Sequence, residues 1–178
     1  MLLDMKPIKR PLVELASEIA AFYHQGQMRK NSIDDYIVHP AKVVTLLEQY
    51  GIYDEVTLAI AWLHDVLEDT SITYKELQCL FGDVVASGIE HLTRIGDTNQ
   101  DKESYKQKIA SAPDNIKMIK LCDTLDNIRT LECLDPEGIV RKINDTENFY
   151  IPMARELCPE IAKDLRYHID TYKASHPR

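Results

Sequence analysis

The feature that most constrains this chain is a helix-length stretch that is apolar around most of its circumference and then ends in a burst of charge. Over residues 54–68 it reads DEVTLAIAWLHDVLE. At ~3.6 residues per turn, Val56, Leu58, Ala59, Ile60, Ala61, Trp62 and Leu63 leave little of the surface polar. Such a helix has to be central, with other elements packed around it. At its C-terminal end stand His64, Asp65, Glu68 and Asp69. Taking His64 as zero, the other three fall at about 100°, 40° and 140°. Four ionisable groups thus share one arc of a greasy helix, where burial without partners costs several kcal/mol or more. Either they form a solvated helix end, or a divalent cation compensates them.

The rest of the chain predicts an all-α fold. There are six Gly and no alternating β-branched runs, whereas helical spacing of apolar residues recurs nearly throughout. Pro11 suits a first helical position, followed by Leu12, Leu15, Ile19 and Phe22 at helical spacing. Residues 26–39 read as a polar loop, and His39-Pro40 opens a second helix that Gly51 ends. Thr73 and Glu76 form a capping box for a short helix reaching Leu80, and Gly82 separates it from another over 83–92. Residues 96–102 read as a polar loop, with helices following over about 103–110, 114–134 and 159–172. A length of 178 residues fits one domain, here with its core over about 11–155 and a C-terminal helix after it.

Charge and cysteine usage narrow the function classes. With 29 acidic against 21 basic residues the formal charge is −8, which repels extended nucleic acid and leaves room only for a small anionic ligand met by a few local cations. Cys79, Cys122, Cys133 and Cys158 have no CxxC spacing, which argues against a zinc knuckle or a redox pair. Three of the four fall in helix-like stretches, where a free Cys acts as a small buried hydrophobe. The N-terminal stretch MLLDMKPIKR carries charge where a signal peptide needs an apolar segment, and no run approaches the ~20 apolar residues of a membrane span. The reading is a soluble, cytoplasmic protein.

Two further groups bear on chemistry. Lys120, Asp123, Asn127 and Thr130 lie within an arc of about 80° on one helix, opposite Leu121, Leu125 and Ile128. They make either an exposed polar stripe or the wall of a pocket for a phosphorylated ligand. His39 sits at a loop-to-helix junction, a position that serves packing as readily as ligation.

Taken in order, His39, then His64-Asp65, then Asp123 resemble the H…HD…D signature of the HD-domain metal-dependent phosphohydrolases. Arg29-Lys30, the run YIVHP, then HDVLED, KLCDTLDNIRTL, Thr146-Glu147 and YIPMA are similar to the hydrolase domain of the RelA/SpoT alarmone enzymes, and the length to the stand-alone small alarmone hydrolases. The resemblance implies an HD-domain helical bundle. It also implies His39, His64, Asp65 and Asp123 as metal ligands, and Mn²⁺ as the cation, which suits a thiolate-free N/O set. Glu68, assisted by Asp69, would activate the attacking water. Arg29, Lys30, Lys120, Asn127, Thr130 and Tyr105 would contact the substrate, a small-molecule nucleotide. The implied reaction removes the 3′-pyrophosphate of ppGpp or pppGpp. His24, His91, His168 and His176 are expected in packing or surface roles.

Three departures bear on substrate identity. Thr124 stands where relatives usually carry Arg or Lys, Asp126 where they often carry His or Tyr, and the loop Asn31-Ser32-Ile33-Asp34-Asp35 is acidic and lacks a usual Gly. All three are expected to make the pocket less positive. The alternatives are therefore hydrolysis of an adenosine alarmone, of an NADPH phosphate or of a nucleoside monophosphate. In another class stands a nucleotide-binding regulator without turnover.

Overall fold

The computed structural model describes residues 11–30 and 33–176, so Asn31 and Ser32 of the acidic loop, and the first ten residues, lie outside it. Among the described residues there is no strand, only an isolated antiparallel bridge between Met28 and Asp35. The helices are α1 (Leu12–Tyr23), α2 (Val38–Gln49), α3 (Glu55–Leu63), α4 (Val66–Asp69), α5 (Tyr74–Leu92), α6 (Asn99–Ala110), α7 (Asp114–Ile128), α8 (Pro136–Asp145), α9 (Ile151–Leu157) and α10 (Pro159–Ser175). A 3₁₀ turn, Leu131–Cys133, follows α7, and a π-helical segment, Thr146–Tyr150, joins α8 to α9.

The apolar helix is indeed central. α3 packs against α1, α2, α5 and α7, and Leu58, Ala59, Ile60, Ala61 and Leu63 are buried along it. Asp54 starts it by accepting the Thr57 N–H at 2.9 Å, an N-cap that satisfies one orphan donor of the first turn. α1 lies on it through Ala16 and Ala20, both fully buried, whereas Phe22, on the same apolar spacing, is largely exposed. α7 joins the core through Ile116, Ile119, Leu121, Cys122, Leu125 and Ile128.

The boundaries differ from the sequence reading in three main places. The stretch 54–68 is not one helix: it stops at Leu63 and restarts at Val66, with Asp65 relaxed to φ −103°, ψ −9°. α6 begins earlier than expected, because Thr98 and Asp101 make a reciprocal capping box that draws residues 99–102 into the helix. α7 ends at Ile128 rather than near 134. Within α5, Gly82 does separate two helical stretches as expected: its φ of 80° and ψ of 174° are non-helical, a conformation only glycine adopts at little cost. Of the cysteines, all free, Cys122 is buried but Cys79 is exposed, so helix placement did not make Cys79 a core residue.

Candidate metal centre

The break between α3 and α4 turns the His64 and Asp65 side chains to one point. His64 lies at the end of α3, fully within the core, and its Nδ1 meets the Ala61 carbonyl at 2.8 Å. A carbonyl only accepts, so Nδ1 carries the proton and Nε2 faces inward. His39, on the first turn of α2, is oriented the same way: Nδ1 lies 2.6 Å from Asp126 Oδ2, and Nε2 points at the same centre. There His64 Nε2 stands 3.0 Å from Asp65 Oδ2 and 3.9 Å from Asp123 Oδ1. His39 Nε2 is 3.6 Å from Asp65 Oδ2 and 3.1 Å from Asp123 Oδ1. Ligand atoms of His39, His64 and Asp65 all lie within 4.8 Å of one another.

The electrostatics are those of a cation site holding protons. Burial opposes charge on His39, but Asp123, Asp126 and Asp65 outweigh it and raise its pKa to about 9. His64 is likewise raised against its burial, chiefly by Asp65. Burial would raise Asp123, yet Lys120 and His39 hold it well below the usual carboxylate range. His64 and His39 do the same for Asp65. His64 Nε2 is buried and makes no hydrogen bond among the described residues, an expensive arrangement for a polar atom. Two imidazole nitrogens aimed at two carboxylates fit a divalent cation of the Mn²⁺, Fe²⁺ or Zn²⁺ type.

The neighbours fix these groups. Lys120 Nζ donates to Asp123 Oδ2 at 2.7 Å, and Asn127 Nδ2 to Asp123 Oδ1 at 2.6 Å. Both residues read from the sequence as substrate contacts are thus also tied to the Asp123 carboxylate. Arg29 Nη1 donates to Asp126 Oδ2 at 2.8 Å, while Thr130 donates to the Asn127 carbonyl at 3.2 Å. Tyr105 hydrogen-bonds the Leu92 carbonyl at 2.8 Å, and its ring lies 5.3 Å from Lys120 Nζ. Glu68 accepts the Arg94 N–H at 2.8 Å, and burial raises its pKa. Asp69 Oδ2 accepts from the Tyr36 hydroxyl at 3.2 Å.

These residues open on a cavity of about 540 Å³. Arg29, Lys30, Tyr105, Lys120, Asn127 and Thr130 line it with His39, Asp65, Glu68, Asp69 and Asp123. Lys102 and Lys106 from α6, and Arg141 and Lys142 from α8, add positive charge to its walls. Thr124 does not stand at the pocket wall; it is fully buried and bonded to the Lys120 carbonyl at 2.8 Å. Asp126 does not line the cavity; it orients His39 and pairs with Arg29, offsetting the charge of a cation that does.

Sequence reasoning missed several residues. Tyr36 donates to Asp65 Oδ2 at 2.5 Å; its position one turn before His39 was the available signal. Asp126 lies about 60° from Asp123 on the helix, so its adjacency was legible, although its role was not. Arg94, Lys102, Lys106, Lys142 and Tyr150 come from segments that nothing local connects to the centre.

Comparison with known proteins gives the chain a family. A family model described as HD domain matches residues 16–158. A guanosine-3′,5′-bis(diphosphate) 3′-pyrophosphohydrolase of Aquifex aeolicus is 36% identical over 161 residues, covering 88% of this chain and 23% of that one. A GTP pyrophosphokinase of Streptomyces coelicolor is 36% identical over 151 residues, covering 82% of this chain and 18% of its own length. The chain thus spans about a fifth of the length of the curated relatives it matches. A solved structure of a metazoan orthologue of SpoT that hydrolyses ppGpp superposes with a TM-score of 0.82 at 26% identity, covering 90% of this chain and 95% of that one.

Proposed function

The chain belongs to the HD-domain family, and from that premise we propose that it hydrolyses the 3′-pyrophosphate of a guanosine nucleotide, releasing pyrophosphate and leaving GDP or GTP, with Mn²⁺ as its cation. One juxtaposition carries this reading. His64 Nε2, which makes no hydrogen bond among the described residues, faces Asp65 and Asp123 beside a cavity whose lining includes Lys102, Lys106, Arg141 and Lys142 as well as Asp97, Asp135 and Asp145. A metal centre beside a chamber with several cations in its walls suits a substrate bearing phosphate on both sides of its ribose. Relatives known for this activity align along most of the chain.

His39, His64, Asp65 and Asp123 would hold the cation. When bound, it supplies neutralising charge at the phosphoryl oxygens and makes the attacking water more acidic. Glu68 is the base: its carboxylate is partly exposed to the cavity, and burial raises its proton affinity. Asp69, held by Tyr36, assists by orienting the water. The water oxygen bonds to the phosphorus on the ribose 3′-oxygen, and one water proton passes to Glu68 and on to solvent. The bond from phosphorus to the 3′-oxygen breaks, and that oxygen is protonated from solvent. Lys120 and Asn127 keep Asp123 in place throughout. The four free cysteines suit the reducing cytoplasm, where we place the enzyme.

The test combines product analysis with one variant. With Mn²⁺, ppGpp should give GDP and pyrophosphate; orthophosphate as the only phosphorus product would identify a phosphomonoesterase instead. Glu68→Gln should lower turnover about 10²–10⁴-fold while retaining metal, since none of the four proposed ligands changes. Loss of metal in that variant would make Glu68 a support of the centre rather than its base.

A further inference from the structure

The Glu68 carboxylate sits on a four-residue helix, α4, on a side chain with three rotatable bonds, and is 30% exposed. Nothing in α4 itself anchors it. Among the described residues, the one hydrogen bond it accepts comes from the main-chain N–H of Arg94 at 2.8 Å. The Arg94 guanidinium adds a looser contact, Nη2 lying 3.6 Å from Glu68 Oε1 and 3.0 Å from Asp97 Oδ1.

The chain leading to that N–H is fastened from α6. Tyr105 donates to the Leu92 carbonyl at 2.8 Å. Lys108 Nζ donates to the Thr93 carbonyl at 2.6 Å and to the Glu90 carbonyl at 2.9 Å. These are the orphan acceptors at the end of α5, where cations are favourable. The Thr93 carbonyl and the Arg94 N–H belong to one planar peptide, so Lys108, by holding that carbonyl, fixes the plane whose N–H is aimed at Glu68. The same Tyr105 ring lies against Lys120, which holds Asp123. The base and the proposed metal ligand therefore share one support.

We propose that residues 92–94 are a positioning clamp for the catalytic base, with Arg94 the positioning residue that touches Glu68 and Lys108 the remote residue that aims it. This rests on the reading of Glu68 as base. A misplacement of about 1 Å can cost a positioned group up to ~10²-fold in rate, and the other contact of Glu68 among the described residues, the Arg94 guanidinium at 3.6 Å, is a loose one. Lys108 does not line the cavity, so its loss should act on turnover rather than on substrate binding.

The experiment uses the full chain with Mn²⁺ and ppGpp, and compares Arg94→Ala, Lys108→Met and Lys108→Arg, each alone and combined with Glu68→Gln. Metal content is measured on every preparation. We expect kcat to fall about tenfold in Lys108→Met and severalfold in Arg94→Ala, with KM within about twofold and metal content unchanged. Lys108→Arg should recover much of the loss, because a guanidinium can reach the same carbonyls. Neither Arg94→Ala nor Lys108→Met should further slow Glu68→Gln, since a base that is gone cannot be misplaced. Normal kcat in both single variants would overturn the clamp, as would an effect carried by KM. An equal further loss in the Glu68→Gln background would also overturn it by revealing general damage. Near-normal turnover of Glu68→Gln alone would instead remove the base assignment, and the clamp with it.

Discussion

Asp126 carries more of the centre than its residue type suggests. One oxygen, Oδ2, accepts both from His39 Nδ1 at 2.6 Å and from Arg29 Nη1 at 2.8 Å, and the residue is 2% exposed. It sets the tautomer and plane of one imidazole and compensates the buried guanidinium of Arg29. Partners of this kind typically change metal affinity 10–100-fold when replaced. Asp126→Asn should therefore fold, keep the His39 contact through its amide oxygen, and bind Mn²⁺ about 10–100-fold more weakly by calorimetric titration. Unaltered affinity would show that the α2 backbone alone orients His39. Asp123, by contrast, was readable from the sequence, because it projects from the same face of α7 as Lys120 and Asn127. Asp126 was visible too, but its partners were not, since they lie 87 and 97 residues away.

At the scale of elements, the centre depends on how closely α3, α5 and α7 approach. Gly88 on α5 makes that approach possible: a Cβ there would stand 2.5 Å from Ile60 Cδ1 and 3.2 Å from Ile116 Cδ1. Ile60 is 1% exposed and Ile116 3%, so neither can swing into solvent to make room. Gly88→Ala should destabilise the protein by about 1–3 kcal/mol, the usual cost of overpacking, measured by urea unfolding. A neutral result would mean that Ile60 has another rotamer available. The sequence placed α3 at the centre from its apolar circumference, yet it also predicted an unbroken helix through Glu68. What the pattern lacked was any cost for continuing: His64 and Asp65 reach one point only because the chain leaves and re-enters helix between Leu63 and Val66.

Over the whole molecule, a formal charge of −8 coexists with a cavity walled partly by cations. Net charge therefore limits the class of partner without describing the site. Because the proposed ligands come from α2, from the α3–α4 junction and from α7, a bound cation cross-links three segments that are far apart in sequence. Binding that favours only the folded state adds about 2.7 kcal/mol at a hundredfold excess over Kd. For a domain of this size that corresponds to a rise in Tm of roughly 5–10 °C. Thermal unfolding of chelator-stripped protein, with and without Mn²⁺, should show that rise, and Asp123→Ala should abolish it. An identical Tm in both conditions would argue against a cation at this centre.

The sequence by itself determined the all-α class, the central helix, and the identity of the groups that converge. Each of these follows from periodicity within one element or from a motif read in order. No helix among the described residues is long and apolar enough to cross a membrane, in keeping with the hydropathy pattern. The tertiary structure alone decided that Thr124 turns into the core rather than toward the cavity, and that Lys106 and Lys142 face the same chamber from different helices. It alone decided that Lys108 and Tyr105 fasten the peptide holding Glu68. The reason is physical: helical periodicity states which side of an element avoids water, whereas the neighbour met by that side is set by packing between segments that share no local pattern.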